Sequence, residues 1–255
     1  MGKLRVAVAL AATLSVCGCV AETAQFQPGV GQQALVRDGQ PAIVSQKAKS
    51  LIIMQPALPE FQMGQRPAYA VGIYNLSGAP INFALANVHV TQTLPDGTSK
   101  PLKVITYEQL VKEEKGRQVA AAILVGLAAG ANAYSASQAG YYHSNSTIYS
   151  PYGVATVHTT GYSPAAAAIA QTNASIENGA MIGNTIEQGR RNLATLQQTA
   201  IKDDTLLPGE WYGGRLQFEP PVQGNGKVPE KYRITIAIGD EVHSFDVLQG
   251  KAAGT

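Results

Sequence analysis

Charge is scarce in this chain. Asp, Glu, Lys and Arg make up 14% of 255 residues, where about a quarter is usual, and none of the four occurs between Gln118 and Ile176. Cysteine is scarcer still. Cys17 and Cys19 are the only two, so the body of the protein holds no disulfide framework and no thiolate metal site. Formal net charge is +2, and Lys3 and Arg5 supply it. A near-neutral chain without basic clusters has no electrostatic footprint for nucleic acid.

Other chemistry is missing too. Of the four histidines, His89 and His243 fall in expected strands, and His143 and His158 lie fifteen apart without an acid between them. That spacing makes no metal site. Asp203 and Asp204 are adjacent after a helix end, where solvated turn residues are the usual case, and glycosidase carboxylates come from separate segments. No serine stands in Gly-x-Ser-x-Gly, and no P-loop or dinucleotide fingerprint is present. The expectation is a protein that is not an enzyme, with no catalytic residues, no metal and no cofactor.

What is present begins at the N-terminus. Residues 1–19 read MGKLRVAVALAATLSVCGC. Lys3 and Arg5 precede an apolar run from Val6 to Val16, about a dozen residues and short for a bilayer span. A charged start followed by an apolar stretch is the grammar of an export signal. Its end, Val16-Cys17-Gly18-Cys19, resembles the lipobox of bacterial lipoproteins: an aliphatic residue, two small ones, then the modified cysteine. The resemblance covers the first twenty residues. It implies cleavage before Cys19, with 1–18 as signal peptide, and a diacylglycerol thioether plus an N-acyl chain on Cys19. Two or more acyl chains give stable anchoring. Val20 follows, not the Asp that in enteric bacteria resembles an inner-membrane retention signal, so the expected site is the outer membrane. Residues 19–41 carry Gln, Gly and Pro with weak periodicity and read as a flexible tether, with a strand near Ala34 to Arg37 as the other reading.

The next stretch has a β texture. Leu51–Met54, Pro67–Tyr74, Ile81–Phe83, Val88–Gln92 and Leu102–Ile105 read as strands, as do Gly214–Phe218, Tyr232–Ile238 and Val242–Leu248. Asn75-Leu76-Ser77-Gly78 and Pro95-Asp96-Gly97 mark turns, and Gly239-Asp240 a two-residue hairpin. Short strands with regular turns predict an antiparallel sandwich from two halves, 42–105 and 206–250. The run from Tyr69 to Val90 resembles the Ig-like modules of bacterial envelope proteins.

A helical hairpin over 106–203 interrupts the sandwich, giving an α+β chain. Thr106-Tyr107-Glu108-Gln109 fits a capping box opening a helix to about 137. Ser163-Pro164 opens a second, running to about 202. Val119 to Ala131 is apolar all round. Gly126 and Gly130 share one helix face, as do Gly179 and Gly183. A hairpin bent in the loop 141–162 is expected to bring these pairs face to face at a close helix crossing. The leading expectation is that the insert packs in water. The alternative is a hairpin that enters a membrane, which in outline resembles the surface-exclusion lipoproteins of conjugative plasmids.

The loop holds Tyr141, Tyr142, Tyr149, Tyr152 and Tyr162 among Ser, Thr and Gly, a binding-loop composition that equally fits a disordered polar linker. Gly209-Glu210-Trp211-Tyr212-Gly213-Gly214 resembles segments closing the helical region of other proteobacterial envelope lipoproteins, and Trp211 is expected as a core anchor. The functional expectation is a lipid-anchored structural or protein-binding module of the envelope. Its partners are the membrane, through Cys19, and another envelope protein or itself. The alternative is a membrane-active oligomer built on the charge-free hairpin.

Overall fold

The computed structural model describes residues 21–37, 39–150, 153–223 and 228–251. Cys19, the expected lipid site, lies outside them. The described residues divide into two compact units, one of 21–104 and 203–251, the other Ile105–Lys202.

In chain order the strands of the first unit are β1 (Ala21–Gln27), β2 (Gln32–Arg37), β3 (Gln40–Gln46), β4 (Ser50–Pro56), β5 (Phe61–Gln62), β6 (Ala68–Asn75), β7 (Ile81–Phe83), β8 (Val88–Thr93) and β9 (Ser99–Leu102). The second unit follows with α1 (Tyr107–Gln138), β10 (Tyr141–Ser150), β11 (Gly153–Tyr162) and α2 (Pro164–Thr199). The chain then returns to the first unit with β12 (Asp204–Leu206), β13 (Trp211–Gln217), β14 (Glu230–Ile238) and β15 (Glu241–Lys251). The protein is α+β, and its sheets are antiparallel.

One sheet runs β5-β1-β15-β14-β8-β9 and another β13-β6-β4-β3-β2. Alternation makes them face one another. In β4 and β14 every second residue is buried, among them Ile52, Met54, Tyr232, Ile234 and Ile236. Tyr69 of β6 stacks on Phe218 at 6.0 Å, and Phe218 meets Tyr232 of β14 edge-on at 5.4 Å. The Tyr69 and Tyr232 hydroxyls are bonded at 2.5 Å; Tyr232 donates to Gln249, whose amide donates to the buried Glu22 carboxylate. Tyr69, Tyr232, Gln249 and Glu22 therefore partner one another, which low-dielectric burial requires.

The expected tether is not a tether. Residues 21–27 form β1, paired with β15 from Glu22↔Lys251 to Gln27↔Asp246, and 32–37 form β2 at the edge of the other sheet. Ala24 and Phe26 turn inward and Gln25 and Gln27 outward. Two inward apolar side chains are too few to reveal periodicity in a Gln-rich run, and the partner strand lies at the far end of the chain.

Candidate functional site

The hairpin unit starts as its caps dictate. The Thr106 hydroxyl accepts from Gln109 N, and the Gln109 side chain accepts from Thr106 N. Ser163 caps α2 by accepting from Ala166 N, with Pro164 at the first helical position. At the base, Ile105, Leu110 and Ala200 form a small core with Tyr107 and Leu196.

Above that base the seam between the helices consists of small and polar side chains. Glu114 is buried, accepting from Arg117 at 2.6 Å, Asn192 at 2.8 Å and Gln118 at 3.3 Å. Gln118 also donates to the Gly189 carbonyl, and Asn132 donates to Asn178, whose own amide donates to the Ala129 carbonyl. Ala136, Ala167 and Ala174 complete the buried positions. Large apolar residues point the other way: Ile123, Leu127 and Ile176 are 60%, 68% and 66% exposed, and Val119, Leu124, Ile169, Ile182 and Ile186 are exposed too. The hairpin is inside out by the rule for soluble helices, which turn the apolar stripe inward. By length and composition α1 suffices to cross a membrane, and only 6% of its most apolar 18 residues is buried.

The glycines are not where the spacing put them. A side chain at Gly126, Gly130, Gly179 or Gly183 would meet nothing within 4 Å. The pairs lie on the outer faces of the hairpin, and the close crossing between them is absent. Alanine and amides make the seam instead, and Gly189 is the glycine that packs, against Gln118. In a stretch this rich in small residues, spacing alone does not choose a face.

The expected loop is a two-stranded ribbon. β10 and β11 pair over their full length, from Tyr141↔Tyr162 to Ser150↔Gly153. Tyr141, Tyr149 and Tyr162 share one face, with the Tyr141 and Tyr162 rings 4.9 Å apart, and Tyr142 is on the other, over Gly161. Tyr152 lies outside the described residues. On the first face His158 bonds Asn145 at 2.6 Å. Among the described residues no three His, Cys, Asp or Glu cluster as metal ligands would.

Two features of the sheet unit escaped sequence reasoning. Buried His243 on β15 bridges the sheets, with Nε2 2.8 Å from Ser50 Oγ and Nδ1 2.9 Å from Ser45 Oγ, and Ser50 also donates to Glu241. Burial, with Lys47 nearby, lowers the His243 pKa to about 4 despite Glu241. Ser50 is fully buried, so this Ser–His pair has no route to a substrate and acts as an inter-sheet tie. Nothing in the sequence signals it, since Ser45 and Ser50 are nearly 200 residues from His243. Trp211 is not a core anchor: it is 54% exposed, tilted on Tyr74 at 4.8 Å and lying over Gly72. Compared with known proteins, the chain matches no family model, no curated protein and no solved structure.

Proposed function

We propose that this protein is a lipid-anchored envelope protein whose helical hairpin crosses a membrane. The observation that supports this reading is the inverted hairpin, with amides and alanines at the seam and Ile123, Leu127 and Ile176 outside. In water each exposed large aliphatic side chain forgoes roughly 1.5–3 kcal/mol of burial. In lipid nothing is forgone, and helices associate through small residues and side-chain hydrogen bonds.

Dimensions and flanks agree with a span. From Gln118 to Gln138 α1 is free of Asp, Glu, Lys and Arg, a rise of roughly 31 Å against a hydrocarbon core of about 30 Å. On α2, Glu177 is the single charge between Pro164 and Ile186, a site where polar function is the default expectation. Arg117, Arg190 and Arg191 are exposed at one end, which the Gln118–Gly189 bond keeps level. Tyr134, Tyr141, Tyr142 and Tyr162 are exposed at the other. Basic groups and tyrosines at opposite ends are what interfaces take. The β10–β11 ribbon, with two open edges, has no place in hydrocarbon and stands beyond the bilayer.

The anchor belongs to the same reading. With lipid on Cys19 and β1 starting at Ala21, the sheet unit is held within about 7 Å of its attachment point. The outer membrane remains the proposed location, from Val20. The facing sheets support an Ig-like sandwich. A second reading, a protein-binding module working in water, is favoured by the exposed Trp211, which rests on the half-buried Tyr74 on the outer surface of the five-stranded sheet.

The test uses the chain from Val20 onward, exported behind an ordinary cleavable signal so that it carries no lipid. Membranes are washed with alkaline carbonate. Retention is the expected outcome; full release would leave the binding-module reading.

A further inference from the structure

We propose that the hairpin packs head to tail with further copies of this chain, the outer face of α1 in one copy against the outer face of α2 in the next. This rests on the membrane reading for its setting and names what covers the two outer faces.

The two faces match. α1 carries Ile123, Gly126 and Gly130 at helical spacing on its exposed side; α2 carries Ile176, Gly179 and Gly183 at the same spacing on its own. Both read Ile-x2-Gly-x3-Gly, and the helices run in opposite directions. The seam fixes their heights, with Glu114 level with Asn192, Gln118 with Gly189 and Ala129 with Asn178. Counting on from those pairs at 1.5 Å per residue sets Ile123 level with Gly183, Gly126 with Gly179 and Gly130 with Ile176, to within about 3 Å. Copies standing side by side in one bilayer keep these heights. Each isoleucine of one copy then meets a glycine of the next, and each of those glycines has open space before it. Close backbone approach with a large side chain seated over glycine is how helices associate in lipid. A two-fold dimer through α1 alone would set Ile123 against Ile123.

The ribbon asks independently for the same neighbour. An isolated two-stranded ribbon is marginal in water, and each strand leaves backbone groups unpaired along its outer edge. Soluble proteins guard such edges with charge or proline; from Tyr141 to Ser150 and from Gly153 to Tyr162 there is no Asp, Glu, Lys, Arg or Pro. β10 continues α1 and β11 leads into α2, so a neighbour whose α2 lies on α1 brings its β11 beside β10, in antiparallel sense. Helix face and ribbon edge together run roughly 60 Å, and at about 10 Å width this contact buries on the order of 1,200 Å2 over both partners, the size of a specific interface. A head-to-tail contact repeats, closing into a ring or extending as a row.

The test is disulfide crosslinking of the full lipidated chain in its own membranes. Ile123→Cys and Gly183→Cys lie on opposite outer faces, and Cys19 is acylated. Oxidation of the double variant is expected to give a ladder of dimers, trimers and larger species, and each single variant alone to stay monomeric. Mixed expression of the two single variants, differently tagged, is expected to give only the mixed dimer. Adding Gly130→Leu, which fills the hole that receives Ile176, is expected to abolish the ladder. Monomers throughout, or dimers from either single variant alone, overturn the proposal. Labelling of Ile123→Cys by a membrane-impermeant maleimide, read in parallel, separates failures: a ladder with a labelled cysteine keeps self-association and removes the membrane, and a protected cysteine with no ladder does the reverse.

Discussion

Asn132 and Asn178 join the two helices at mid-height. Asn132 Nδ2 donates to Asn178 Oδ1 at 3.0 Å, and Asn178 Nδ2 donates to the Ala129 carbonyl at 3.1 Å. A seam of alanines has little shape of its own to fix how far one helix slides along the other, so this pair sets the register. A double-mutant cycle with Asn132→Ala and Asn178→Ala should return a coupling of roughly 0.6 kcal/mol, the size of interhelical hydrogen bonds in membranes. Additive effects in denaturation of the reconstituted protein would mean that the asparagines do not hold the register.

The outer glycines give a second prediction. Because a side chain at Gly130 meets nothing in its own chain, Gly130→Ala should stabilise the monomer by about 1 kcal/mol through helix propensity. Gly130→Leu should leave monomer stability at or above that of the parent. A loss of about 1–3 kcal/mol, as overpacking gives, would restore the intramolecular crossing that the sequence pattern suggested.

His243 makes the sheet unit acid-sensitive. Its pKa is about 4 when folded against an ordinary 6.5, so the unfolded chain takes the proton more readily and acid favours unfolding. The stability involved is nearly complete at about pH 7.5 and is lost as pH falls through 6.5 towards 4, roughly 2 kcal/mol of it between about pH 7.5 and 5. Glu241, whose pKa is lowered by its hydrogen bonds from Ser50 and the Lys49 amide against the opposing effect of burial, loses its contribution further down, below the ordinary carboxylate range. Denaturant midpoints across that window should slope in the parent and flatten in His243→Gln. Equal slopes in both would place the titrating group elsewhere.

The parts of this fold that sequence discloses are those settled locally. Thr106 with Gln109, and Ser163 with Pro164, mark the helix starts because caps are bonded within one turn. Gly239 takes a positive φ of 58° in a two-residue turn, as the Ile238-Gly239-Asp240-Glu241 run implies. β1 was hidden because the residue that satisfies its buried Glu22, Gln249, is 227 positions away. β10 and β11 carry β-favouring Tyr, Thr, Ile and Val, but their density of Ser, Gly and Asn gives them the composition of a loop. The outward glycines were unreadable for another reason: spacing shows which residues share a face, and only packing shows what that face meets.

The membrane-crossing hairpin is the central claim, and cysteine accessibility tests it most directly, since with Cys17 removed and Cys19 acylated, as proposed, an engineered cysteine would be the one free thiol. Single variants Ile123→Cys, in the span, and Ser146→Cys, in the ribbon, are treated in intact cells and in lysed membranes with a membrane-impermeant maleimide. The account predicts that Ser146→Cys is labelled from one side of the membrane only, and that Ile123→Cys is labelled only after detergent. Ready labelling of Ile123→Cys in undissolved membranes would contradict the account.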